Sequence, residues 1–196
     1  DNPRLMEIHK VLEKALAADI QHPGACHLYI HATESTPKPE LGAPCASYLG
    51  DAIPGASHIN HMPSHTWNEI GSWGKSVRAN LQAWHSDQKA EQDKAFAIYP
   101  AHNLHMLLYA AAYDGQGAIS IQAGKDFCKL TGNNFYHTLT LVRFGRFDEV
   151  LKIEDRPESI IEGSLWDFCQ GYSRLKTGEP DFARLYANRE LAVADT

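Results

Sequence analysis

The stretch Leu165-Trp166-Asp167-Phe168-Cys169-Gln170-Gly171-Tyr172-Ser173-Arg174-Leu175-Lys176-Thr177-Gly178-Glu179-Pro180-Asp181-Phe182-Ala183 reads as one amphipathic helix, a glycine stop and the start of a second helix. Gly178 supplies the left-handed residue that ends a helix, and Phe182 falls where a ring can pack back on the helix pair. The same punctuation recurs upstream at Gly71-Ser72-Trp73, Gly115-Gln116-Gly117 and Gly145-Arg146-Phe147, each between two amphipathic stretches. Further towards the start, Leu5, Ile8, Val11, Leu12 and Leu16 form an apolar stripe of helical period over residues 3–19. The turn Gln21-His22-Pro23-Gly24 ends that helix and places Pro23 at the start of the next. The element Pro23-Gly24-Ala25-Cys26-His27-Leu28 returns as Pro54-Gly55-Ala56-Ser57-His58-Ile59, a period of about 31 residues, in the range of helical solenoids.

Strand signals are nearly absent. The register predicts first helices at 25–37, 56–69, 100–113, 131–143 and 163–176, each followed by a second helix. A longer helix is expected over 75–97, with the charged stretch from Ser86 to Lys94 as its solvated extension, since Ala, Lys, Gln and Glu favour helix.

With its Gly-x-aromatic turns, and with Gly171 inside the first helix of the copy quoted above, the chain resembles the tetratricopeptide repeat family. The spacing is uneven, and Ser76, Ser120 and Val150 stand where the family has alanine, as in a divergent member. The resemblance implies an all-α fold of helix–turn–helix repeats stacked as a right-handed α-solenoid. Residues 1–196 would then be a single repeat domain or a piece of a longer array. It also implies that first helices line the concave groove.

A net charge of −6 without any cluster of Lys and Arg argues against binding nucleic acid. Cys26, Cys45, Cys128 and Cys169 lie far apart with no C-x-x-C pair and read as small core residues or free thiols. The longest apolar runs, such as Leu107 to Tyr113, are too short for a bilayer span of about 20 residues. A soluble protein is therefore expected; the opening residues Asp1 to Lys10 are helix-like and lack a leader pattern, which leaves the compartment undecided with the cytoplasm weakly favoured.

The chemistry is carried by histidine. Seven of the eleven fall in three short clusters: His27 with His31, His58 with His61 and His65, and His102 with His105. Residues three, four and seven apart on a helix project over one stripe, so each cluster can converge on a point. Counting back from the turn glycines, His58, His61 and His65 occupy the helix positions of His102, His105 and Tyr109. In the first copy His27 matches His58 and Glu34 matches His65, while His31 lies one residue beyond the match to His61. By the resemblance these positions face the groove.

Packed helices about 8–10 Å apart can bridge their imidazoles through one ion. The candidate ligands are therefore His27, His31, Glu34, His58, His61, His65, His102 and His105, with Asn103 and Tyr109 placed to orient ligands or substrate. They suffice for one or two transition-metal ions. A nitrogen-rich, thiolate-free set favours copper or iron, and zinc is acceptable. No His-Glu-x-x-His pair is present. Pro63, inside His61-Met62-Pro63-Ser64-His65, is expected to kink its helix and shift His58 and His61 relative to His65. The isolated His9, His22, His85 and His137 read as ordinary core or surface residues, and Tyr29, Trp67, Trp73, Trp84 and Trp166 as packing residues.

The sequence thus points to a metal-dependent enzyme, an oxidoreductase before a hydrolase, acting on a small molecule in the groove. The alternative is a repeat scaffold that binds peptides without catalysis. Against it, family members that grip peptide C-termini present Lys, Arg and Asn where this chain has His, Glu and Tyr. A non-catalytic metal store or sensor would share the same ligands.

Overall fold

Apolar periodicity near 3.6 and a proline or glycine at most junctions produce an all-α structure. The computed structural model describes residues 3–94 and 97–194, and no strand occurs among them. Contacts gather into two compact units, one ending at Asp114 and one beginning at Gly115. The first holds α1 (Pro3–Ala18), α2 (Pro23–Glu34), a 3-10 turn (Pro39–Gly42), α3 (Ala43–Ala52), α4 (Ser57–His61), α5 (Pro63–Glu69), α6 (Trp73–Gln92) and α7 (Pro100–Tyr113). The second holds α8 (Gly117–Thr131), α9 (Phe135–Arg143), α10 (Phe147–Val150), α11 (Ile160–Lys176) and α12 (Pro180–Ala194). No helix among the described residues is long and apolar enough to cross a membrane.

The turn chemistry read from the sequence is present. Gly71, Gly115, Gly145 and Gly178 all have positive φ, between 69° and 90°, where a side chain would be strained. Proline opens α2, α5, α7 and α12, where its missing N–H costs no helical hydrogen bond. His22 has a definite task, because its Nδ1 accepts from the Ala25 N–H at 3.1 Å and caps α2.

Boundaries move where proline or glycine outweighs helix propensity. The helix expected over 25–37 stops at Glu34, since Pro37 restricts Thr36 and removes a donor. The helix expected from 131 starts at Phe135, after Gly132 turns left-handed at φ 75°. Of the second helix expected after Gly145 only one turn forms, α10, and the chain then runs without helix past Pro157 to α11. The helix expected over 75–97 ends at Gln92, and its expected residues 95 and 96 lie outside those described. Its charged stretch is not wholly solvated: Asp87 is buried, and its Oδ2 accepts from Asn103 Nδ2 at 2.7 Å.

In the first unit Leu12, Leu16, Cys26, Ile30, Cys45, Leu49, Met62 and Trp67 form one core shared by α1, α2, α3 and α5. Helix α6 packs against α4, α5 and α7. In the second unit Leu141, Val150 and Cys169 are buried, with the half-buried Ile121, Leu139, Val142 and Ile153 packed against them. There Gly171 sets the approach of α11 to α12, because a Cβ on it would stand 2.8 Å from the Tyr186 Cβ. Cys26, Cys45 and Cys169 are buried thiols and Cys128 is half-buried, with no disulfide among the described residues.

Candidate metal centre

Four helices of the first unit bring the histidines together: α2 carries His27, His31 and Glu34, α4 carries His58 and His61, α5 carries His65, and α7 carries His102 and His105. Pro63 does interrupt the helix expected over 56–69, dividing it into α4 and α5. The joint at Met62 keeps helical angles (φ −50°, ψ −39°), so the chain bends without turning away. His61 and His65 consequently still converge, with their Nε2 atoms 2.9 Å apart. His102 crosses from α7 to place its own Nε2 2.9 Å from the same His61 nitrogen.

The proton positions on two of these rings follow from their neighbours. Asn80 Nδ2 donates to the Ser76 carbonyl at 3.0 Å, which turns Asn80 Oδ1 towards His61 Nδ1 at 2.7 Å. An amide oxygen only accepts, so this contact favours the His61 tautomer with its proton on Nδ1 and its lone pair on Nε2; the Ser64 hydroxyl also lies 3.3 Å from Nδ1. His65 Nδ1 lies 2.5 Å from Glu34 Oε2, and a carboxylate likewise only accepts. Neutral His65 therefore also presents a lone pair on Nε2. With both rings neutral, two lone pairs would face each other at 2.9 Å, an arrangement relieved by a shared metal ion or by a proton on one Nε2. Nitrogens bound at about 2.0–2.1 Å to one ion stand about 2.9 Å apart at a right angle and about 3.3 Å apart at the tetrahedral angle. The observed 2.9 Å is compatible with ligands on a shared ion and is also the length of an N–H···N hydrogen bond.

A second group lies alongside. His27, His31 and His58 place one ligand atom each within 4.8 Å of one another, as do His61, His65 and His102, and His31, Glu34 and His65. Ring centroids run 5.1 Å from His27 to His31, 5.0 Å from His27 to His58 and 4.9 Å from His31 to His65. Glu34 joins the groups: its Oε1 lies 2.8 Å from His31 Nδ1 while its Oε2 holds His65.

Burial lowers the pKa of His61 well below its ordinary value, with the His65 charge acting in the same direction. Burial, then the charges of His27 and His102, brings His58 down to about 4. His27, His102 and His105 are also lowered, chiefly by burial. Burial alone would raise Glu34, but hydrogen bonds from His65 and His31 hold it at about 2. At neutral pH these shifts favour the uncharged form of His27, His58, His61, His102 and His105 near a charged Glu34 carboxylate, the protonation state a cation requires.

His105 sits half-buried on α7 outside the three close groups. Asn103 is fully buried, and its amide nitrogen is engaged by Asp87. Tyr109 is exposed and belongs to an aromatic cluster, its ring 4.7 Å from Tyr113 and 6.0 Å from Trp73. The residues that sequence reasoning missed are Asn80 and Ser76. Nothing in their spacing says that they face His61, because the contact joins α6 to α4 across 19 residues. His9, read as ordinary, bonds the Ala32 carbonyl at 2.7 Å and meets the Tyr29 ring edge-on. Scans against protein-family models, curated proteins and solved structures find no match to this chain.

Proposed function

We propose that the first unit binds a transition-metal ion through His61, His65 and His102, and that the protein is a metal-dependent enzyme acting on a small molecule. The observation that carries this is the convergence of the Nε2 atoms of His61, His65 and His102, with Asn80 and Glu34 engaging the outer ring nitrogens of His61 and His65. Three imidazoles leave at least one coordination position for water or substrate, which is the requirement for catalysis as opposed to structural binding. Partners of the kind supplied by Asn80 and Glu34 fix ring orientation and raise ligand basicity. A thiolate-free nitrogen set favours copper or non-haem iron, hence oxidoreductase chemistry, with zinc as the hydrolytic alternative.

The scaffold belongs, in the same proposal, to the tetratricopeptide type. Its support is the left-handed glycine at four turns and the buried small residues Ser76 and Ser120 five positions after two of them. A peptide-binding role fits less well, because the imidazoles at the stripe positions face one another at contact distance.

Elemental analysis of protein purified without an affinity tag, followed by absorption spectroscopy, tests the proposal. Stoichiometric copper or iron that disappears in His61→Ala but persists in His85→Ala supports it. Metal-free protein that binds none of copper, iron or zinc on addition refutes it.

A further inference from the structure

We infer that His27, His31 and His58 hold a second transition-metal ion beside the first, and that Glu34 is a positioning residue shared by both. This rests on the proposed site at His61, His65 and His102 and adds its neighbour.

The second group repeats the logic of the first. Glu34 Oε1 accepts from His31 Nδ1 at 2.8 Å, so neutral His31 also carries its lone pair on Nε2. The three ligand atoms of His27, His31 and His58 already lie within 4.8 Å of one another. His58 supplies an independent sign: its Nδ1 is buried and has no hydrogen-bond partner. A buried ring nitrogen without a partner is unfavourable, and a metal ion is one way to satisfy it.

The two groups also share a wall, since the His58 ring stacks on His61 at 5.8 Å and His31 meets His65 edge-on at 4.9 Å. The paired ions would therefore lie close enough for one small molecule to touch both, an arrangement that clamps a substrate between two Lewis acids. Imidazole donors with one nearby carboxylate select borderline divalent ions over calcium or magnesium. The competing arrangement is a single ion held by His31, Glu34 and His65, which requires Glu34 to give up both of its present contacts.

Cobalt(II) is the probe. The full chain is stripped with a chelator and titrated, with bound cobalt counted by equilibrium dialysis, coordination followed by visible absorption, and folding of each variant checked by circular dichroism. Two ions per chain are expected for the unaltered protein. His27→Ala, with His58→Ala as a second variant should the first fail to fold, is expected to retain one. Glu34→Gln is expected to weaken both binding steps by about 10–100-fold, the usual effect of losing a ligand's supporting partner.

Saturation at one ion, unchanged in His27→Ala and His58→Ala but lost in His61→Ala, would overturn the second ion while leaving the first site standing. Cobalt binding indifferent to His61→Ala would instead overturn the first site. Loss of all binding in Glu34→Gln would assign a single ion to the competing group, and weakening of only one step would overturn the shared role.

Discussion

The two units use the same helix–turn–helix punctuation but fill one set of positions differently. Thirteen, ten and six residues before the turn glycine, the first unit carries His58, His61 and His65 ahead of Gly71, and His102, His105 and Tyr109 ahead of Gly115. The second carries Gly132, Phe135 and Leu139 ahead of Gly145, and Leu165, Phe168 and Tyr172 ahead of Gly178. Five residues after the glycine the units agree much better: Ser76, Ser120 and Val150 are all fully buried, two of them in the second unit, and Ala183 after Gly178 is half-buried. The difference separates two kinds of position. Those after the turn serve packing in both units, whereas the stripe before it is free to carry imidazoles in one unit and apolar rings in the other, such as Phe168 stacked on Tyr172 at 5.8 Å.

The largest test of that separation is His61→Ala. It removes the nitrogen on which His65 and His102 both converge, so metal affinity should fall by more than the roughly 100-fold that loss of a supporting partner costs. Phe168→Ala, at the matching position of the second unit, should leave affinity unchanged. Isothermal titration of both variants decides it, and equal losses would erase the distinction between the stripes.

A step smaller is Asn80→Ala. It leaves His61 Nδ1 with only the Ser64 hydroxyl at 3.3 Å, which can donate as well as accept, and so frees the ring to change tautomer, for an expected loss of about 10–100-fold in the same titration. Gly171→Ala tests the packing side. A Cβ pressed against Tyr186 should lower stability in urea by about 1–3 kcal/mol while metal affinity stays as it was.

Acid should distinguish the units without any mutation. In the metal-free protein His58 has its pKa lowered to about 4, so between there and about 6.5 the unfolded chain binds more protons than the folded one. Its contribution to stability is therefore complete above about pH 6.5 and declines as pH falls towards 4. Glu34, held at about 2, acts in the same direction at lower pH, because its contribution is lost as pH falls from the ordinary carboxylate range towards 2. Hydrogen exchange should show α4, α5 and α7 losing protection on acidification before α11, which carries no histidine. The smallest effects belong to His85→Ala, an exposed residue away from the stripes, which should alter neither metal content nor melting temperature.

Much of this was legible in the sequence because it is local. Helical period, turn glycines and opening prolines act within a few residues, and they located the helices and the shared stripe of His58, His61, His65 and His102. Where helix ends were misplaced, at Glu34 and Phe135 a nearby proline or glycine prevailed over propensity, while after Gln92 the chain leaves the helix through Lys94 at φ 54°. Contacts between helices were not legible. That Asn80 engages His61 Nδ1, that Glu34 holds one ring from each histidine group and that Asn103 turns inward to Asp87 all depend on which faces meet, and spacing along the chain does not record that. Tyr109 shows the same limit: it shares the register of His65 yet sits in an aromatic cluster with Trp73 and Tyr113.

The most direct measurement of the central claim is diffraction from metal-loaded crystals at the absorption edge of the bound element. An anomalous peak about 2.0–2.2 Å from the Nε2 atoms of His61, His65 and His102 is the predicted result. A peak elsewhere in the molecule, or fully loaded crystals with none between α4, α5 and α7, would contradict it.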